Sequence, residues 1–100
     1  DYAEAYKWFE KSAQQGNAYA QFKLGIMYEE GYGVEKDEHK AHEWFEKAAV
    51  QGQPTAQVAL GNFYHSGRGV KRDNAKAYEW YEKAAANGDE EAKEALKNLL

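Results

Sequence analysis

The sequence predicts an all-α solenoid of helix-turn-helix repeats with a 36-residue period, and three observations carry that prediction. A step of 36 links Ala5, Ala41 and Ala77; Trp8, Trp44 and Trp80; Gly16, Gly52 and Gly88; and Leu24, Leu60 and Leu96. Residues 5–40 and 41–76 are identical at 18 of 36 positions, and 41–64 and 77–100 at 12 of 24, more than shared composition produces. Within each unit the apolar residues recur at helical spacing, and no segment alternates apolar and polar over a strand length. The 100 residues are one domain's length, with no room for a second independent core.

The elements follow in order as two kinds of helix, second-type and first-type. A second-type helix is expected over about 1–15, where Ala5, Trp8, Phe9 and Ala13 share one stripe. A first-type helix follows over 18–30 behind Asn17, a good N-cap. Gly31 and Gly33 end it, and Asp37 is placed to cap the second-type helix over 38–51. The next first-type helix, 54–66, starts at Pro54, whose missing N–H costs nothing in the first turn. It presents Ala56, Ala59, Leu60, Phe63 and Tyr64 on one face, while Gln53 is a poor N-cap. Gly67, Gly69 and Asp73 repeat the loop signals before the helix over 74–87, which carries Ala77, Trp80, Tyr81, Ala84 and Ala85 and stops at Asn87-Gly88. Asp89 caps a closing first-type helix over 90–99. The units are therefore a half repeat (1–16), two full repeats (17–52 and 53–88) and a C-terminal capping helix (89–100). The tryptophans, recurring beside Ala and Phe or Tyr, read as core.

Gly25 and Gly61 stand inside helices, where each costs about 1 kcal/mol relative to Ala. Close approach by the helix carrying Trp44/Phe45 or Trp80/Tyr81 would offset that cost. Lys97 fills the third copy of the slot, which makes the last helix a solubilising cap with no helix packed beyond it. At the other end, Tyr2, Ala5, Tyr6 and Phe9 are expected to leave apolar surface uncovered. A chain beginning at Asp1 with half a repeat reads as an array cut on its N-terminal side, or alternatively as a consensus-derived repeat protein.

The pattern A-x3-L-G-x2-Y-x2-G-x-G-V-x2-D-x3-A-x2-W-F-E-K-A-A-x2-G runs from Ala20 to Gly52, and again from Ala56 to Gly88 with Tyr81 at the Phe slot. It resembles the Sel1-like repeat, a relative of the tetratricopeptide repeat with a longer loop inside each helix pair. The resemblance spans the whole chain. It implies a right-handed α/α superhelix whose concave face is lined by the first-type helices, and an interaction scaffold whose partners differ from protein to protein.

Composition and motifs exclude several other functions. Thirteen basic and seventeen acidic residues give a net charge of -4 and a pI near 5.4, which argues against sequence-independent nucleic-acid binding. No apolar stretch is long enough to insert in a membrane, and the absence of cysteine removes disulfides, thiolate metal sites and a Cys nucleophile. His39, His42, Glu43 and Glu46 have ligand spacing on one helix, but Tyr6 and Tyr78 occupy the slot of His42, which marks it as a packing position. The Gly-x-Gly loops lack the preceding strand and the Lys-Ser/Thr that phosphate loops need. The basic residues Arg68, Lys71, Arg72 and Lys76 read as a solvated loop. Ser12, Ser66 and Thr55 have no acid/base partner in a pocket, so no enzyme and no cofactor is expected.

Comparing the copies also separates framework slots from variable ones. The variable slots of the first-type helices read Tyr19/Thr55/Glu91, Phe22/Val58/Glu94, Ile26/Asn62/Asn98, Glu29/His65 and Glu30/Ser66, and fall on one face. By resemblance to tetratricopeptide arrays that face lines the concave groove. Tyr19, Phe22, Ile26, Glu29, Glu30, Thr55, Val58, Asn62 and His65 are therefore the candidate partner-binding residues. Their chemistry suits a protein or peptide with an apolar anchor and basic neighbours. Two alternatives stand beside this. In one, Phe22 and Ile26 only pack between adjacent first-type helices. In the other, the chain is a structural or designed repeat with no ligand, self-associating weakly through its open N-terminal end.

Overall fold

A computed structural model of the chain describes residues 1–99 as six helices, with no strand among them. The expected closing segment 89–100 ends on Leu100, outside those residues. The helices are α1 (Tyr2–Gln14), α2 (Ala18–Glu30), α3 (Glu38–Val50), α4 (Pro54–Ser66), α5 (Asn74–Ala86) and α6 (Glu90–Leu99). Each lies within one residue of its expected boundary, because the caps are in the sequence. Asp1, Asn17, Asp37 and Asp73 accept backbone N–H bonds from the first turns of α1, α2, α3 and α5. Gln53, expected to be a poor cap, does the same for α4: its Oε1 accepts from the N–H of Ala56 at 2.6 Å.

The substantial helix contacts all join chain neighbours, α1 to α2 through to α5 to α6, and the molecule measures 41 × 24 × 18 Å. That is the geometry of a solenoid, in which each unit buries its apolar face only against the next. The larger core gathers Phe45, Leu60, Phe63 and Tyr81 with small alanines from α3 to α6, and a smaller one gathers Ala13, Ala20, Leu24 and Met27.

The helix glycines are the contact points of this packing. A Cβ on Gly25 would lie 2.5 Å from the ring of Phe45, and one on Gly61 2.5 Å from the ring of Tyr81. The aromatic residue therefore presses on bare backbone, and the partner is the Phe/Tyr slot rather than the neighbouring Trp. In the loops, Gly33 (φ 74°) and Gly69 (φ 67°) lie against the first-turn backbone at Tyr2 and Glu38. Both the positive φ and the crowding exclude a side chain there.

The tryptophans are not core. Trp44 and Trp80 are half-buried at the rims of the two clusters, with the ammonium groups of Lys47 and Lys83 4.5 and 4.4 Å from the ring centroids. Trp8 is 75% exposed. The slot lies at the edge between successive units, so the burial of its Trp depends on the unit before it. Trp44 has α1 and α2 in front of it, and nothing described here precedes α1.

Two buried glutamines tie the hairpins together. The amide of Gln21 donates to the Ala13 carbonyl (3.2 Å) and that of Gln57 to the Ala49 carbonyl (3.1 Å), each satisfying a carbonyl near the end of the preceding helix. The Oε1 of Gln21 accepts from Gln51 at 2.9 Å, whereas the Oε1 of Gln57 is buried without a partner. The residue in the slot of Gln51 one repeat later is Asn87, shorter by one methylene. Asn87→Gln is expected to supply the missing donor and stabilise the fold by about 1 kcal/mol, raising the melting midpoint by roughly 4–8 °C. Gln51→Asn should lower it. An unchanged midpoint in Asn87→Gln would show that the orphan oxygen costs nothing.

Candidate partner-binding surface

The nine residues read as one face do not form one uniform surface. Val58 is only 3% exposed and belongs to the larger core, so it cannot meet a partner. Phe22 is half-buried with its ring 5.9 Å from that of Phe45, and Ile26 packs against the same cluster. Truncating Phe22 would therefore cost stability. Glu29 is committed too. Its carboxylate lies 2.9 Å from Nη1 of Arg68, whose Nε donates to Glu38 at 2.8 Å while the guanidinium covers the Phe63 ring at 4.7 Å. Arg68 therefore leaves the loop's basic cluster to serve as a clamp between units.

Much of the variation between copies is paired across helices. Where the aromatic slot holds Phe45, the facing residue of the preceding first-type helix is Ile26. Where it holds Tyr81, the facing residue is Asn62, whose side-chain oxygen accepts the tyrosine hydroxyl. Tyr2 stacks on Tyr32 (centroids 4.7 Å apart, planes 9°), and one repeat later the same two slots hold the ion pair of Glu38 and Arg68. Tyr6 and Tyr28 share a 2.9 Å hydroxyl contact where the next unit sets His42 3.4 Å from the Tyr64 hydroxyl. Single-copy differences that look like binding specificity are therefore partly compensated packing. Such pairs can be found from sequence only by knowing which slots face each other.

Five candidates stay exposed without belonging to the core: Tyr19, Glu30, Thr55, Asn62 and His65, of which Asn62 is engaged by the Tyr81 hydroxyl. Tyr19 is the large one at 55% exposure, with the Phe9 ring edge-on 6.4 Å away and the Lys23 ammonium 5.4 Å from its centroid. The Nδ1 of His65 lies 3.2 Å from Asn74 Oδ1. Two small cavities lie between neighbouring helices. One, about 220 Å³, is lined by Phe9, Lys23, Ile26, Met27 and the Tyr2–Tyr32 stack; the other, about 210 Å³, by His65, Tyr81, Ala95, Asn98 and Leu99. Both are below the size of an ordinary small-molecule site.

The two histidines with ligand spacing on α3 are set apart by the fold. His42 is 9% exposed and turned toward Tyr64, and burial, its main perturbation, holds its pKa below the ordinary histidine value. His39 is outside, 3.3 Å from Glu43. The two imidazoles thus face different surroundings, and among the described residues no three His, Asp or Glu side chains converge. No helix among them is long and apolar enough to cross a membrane.

The in-helix glycines under aromatic rings, the double-glycine loops and the 36-residue step agree with a family profile: the Sel1 repeat matches residues 1–17, 18–53 and 54–89. The chain belongs to the Sel1 repeat family. Its fold matches the crystal structure of a Sel1 repeat protein from Oxalobacter formigenes with a TM-score of 0.90 and 49% identity, over 92% of this chain and 69% of that one. It also matches a protective antigen of uropathogenic Escherichia coli strains that displays the same repeat fold, with a TM-score of 0.90 and 44% identity, over 92% of this chain but only 20% of that one. Helicobacter pylori cysteine-rich protein B follows with a TM-score of 0.87 and 28% identity, over 91% of this chain and 68% of that one. None of the curated proteins matches the sequence. Sel1 repeats generally mediate protein–protein interactions and are typically non-catalytic scaffolds. This Sel1 array has no cysteine at all, so no disulfide braces it.

Proposed function

We propose that this Sel1 array is a non-catalytic interaction scaffold that receives a peptide or helix of a partner protein along the outward face of α2 and α4. The observation that carries the reading is Tyr19. It is a large aromatic group, more than half exposed, at a slot where the other copies hold Thr55 and Glu91, so the fold does not require it. Aromatic residues of this kind supply much of the energy of protein interfaces, and the exposed carboxylates Glu30, at the far end of α2, and Glu91, in the Tyr19 slot of α6, favour basic residues farther along the partner. Phe22 and Ile26, held by the core, contribute the floor rather than the anchor.

Peptide-library selection against the wild-type chain, with the Tyr19→Ala variant as counter-selection, tests this. Enriched peptides should carry an apolar anchor flanked by Lys or Arg and should bind Tyr19→Ala at least about thirtyfold more weakly, the arithmetic of a 2 kcal/mol hot spot. Glu30→Gln should change mainly the association rate, and raising the salt should erase that effect. Peptides that bind Tyr19→Ala as well as wild type would remove this face from the function.

A further inference from the structure

We propose that the joint between the Sel1 units at 18–53 and 54–89 is an acid-sensitive latch, closed while the imidazole of His42 is neutral and loosened when that ring takes up a proton. His42 stands on α3, the last helix of one unit, and is 9% exposed. Its ring is edge-on to Tyr64 of α4, the first helix of the next unit, with centroids 5.6 Å apart, and its Nε2 lies 3.4 Å from the Tyr64 hydroxyl. Tyr64 is buried in the same core as Phe45, Leu60 and Phe63. The pair is therefore part of the packing that holds one unit on the next.

The other copies show what this slot needs for packing alone. They hold Tyr6 and Tyr78. Tyr6 makes the equivalent contact as a phenol: its hydroxyl lies 2.9 Å from that of Tyr28 and donates to Glu10 at 2.9 Å. A phenol stays neutral from pH 5 to 8, whereas histidine changes its charge there. The one copy with His at the slot is thus the one able to respond to mild acid.

A positive charge at this place is poorly met. On α3 the ionisable neighbours of His42 are His39, Glu43 and Glu46, all exposed, and neither carboxylate pairs with its ring. From α4 it meets the Tyr64 hydroxyl, and α5 brings the ammonium of Lys76, 5.4 Å from the centroid of the Tyr64 ring. Asp73, in the loop between α4 and α5, faces Tyr64, but its carboxylate caps α5. Among the described residues, α2 on the other flank of α3 adds no charge to these surroundings. Burial is the largest influence on the imidazole and favours its neutral form, outweighing the attraction of Glu46 and Glu43. Protonation also removes the ring's acceptor nitrogen, so that it can only donate to the hydroxyl.

The direction of the pH effect follows from this. In the unfolded chain histidine takes its proton near pH 6.5, and in the closed joint only at lower pH. The latch is at full strength above that value. It weakens as the pH falls below it, because the open chain then binds a proton that the closed one resists.

Thermal melts between pH 7.5 and 5.5 test the proposal, with His42→Tyr restoring the residue of the other copies. Over that interval the wild-type melting midpoint should fall by about 5 °C or more relative to His42→Tyr. Hydrogen exchange, compared between the two proteins at each pH, should place the loss at the joint. In α3 and α4 the wild-type rate relative to His42→Tyr should rise at least about fivefold from pH 7.5 to 5.5. His39→Gln, an exposed change on the same helix, should keep the wild-type pH dependence. NMR titration of the wild-type imidazoles gives a readout that needs no variant: the His42 ring should titrate below about pH 6.5. Parallel melting profiles, a constant exchange ratio in α3 and α4, an acid response lost in His39→Gln, or a His42 ring titrating at or above that value would each overturn the proposal.

Discussion

Replacing Leu60 with alanine is expected to lower the melting temperature by about 10 °C or more, a large share of the stability of a chain this short. Leu60 is fully buried at the centre of the larger core, between α3 and α5, where Phe45, Phe63, Tyr81 and the alanines of those helices surround it. Removing its branched end forfeits the transfer energy and leaves a cavity that neighbours as rigid as these rings cannot fill, a loss of roughly 2–5 kcal/mol. A domain has only about 5–15 kcal/mol in total. Leu96, the same slot in the terminal helix, is half-buried and serves as an internal control: Leu96→Ala should cost distinctly less. Equal losses in thermal or chemical denaturation would mean that position in the array does not matter, contrary to the packing described above.

The second large effect concerns the glycine slot. Gly61→Leu is expected to destabilise by about 1–3 kcal/mol or more, because even a Cβ would meet the Tyr81 ring at 2.5 Å and three further carbons must displace it. The displacement spreads, since the Tyr81 hydroxyl is held by Asn62 and its ring by the core. Lys97→Leu, at the same repeat slot, should leave the melting temperature nearly unchanged because Lys97 is exposed with no helix beyond it among the described residues. The contrast separates crowding from helix propensity, as Leu is a better helix former than Gly and would stabilise either site if propensity governed. Matching losses at the two positions would refute the close-approach account.

The two predictions rest on different kinds of legibility. Leu60 is a core residue on periodicity alone. The cost at Gly61 is also legible, because a helix-breaking residue repeated at one slot needs an offset. The tryptophans show where that logic fails. Trp8, Trp44 and Trp80 recur as strictly as Leu24, Leu60 and Leu96, yet they sit at the seam between units and range from half-buried to 75% exposed. Recurrence reports that a slot has a fixed environment within an endless array. It does not report whether the neighbouring unit is there.

The groove residues show the same limit. Val58, Phe22, Ile26, Asn62 and Glu29 vary between copies, and the structure ties each to the core or to a facing side chain: Phe22 and Ile26 to the cluster of Phe45, Asn62 to Tyr81, Glu29 to Arg68. Tyr19 alone of the large candidates keeps most of its surface.

What the sequence by itself determined is everything set over short spans of chain: six helices, their caps and breaks, the 36-residue step, and the resemblance that places the chain among Sel1 repeats. These follow from local rules, because a cap bonds two or three residues away and an apolar stripe is read along a single helix. The tertiary structure decided which exposed and variable residues are free. Pairing between Tyr2 and Tyr32, Glu38 and Arg68, or Asn62 and Tyr81 spans 19 to 30 residues and depends on how neighbouring helices lie. A side chain's burial is a property of what packs over it, and along a solenoid that is always the next unit, which the residue's own helix does not encode.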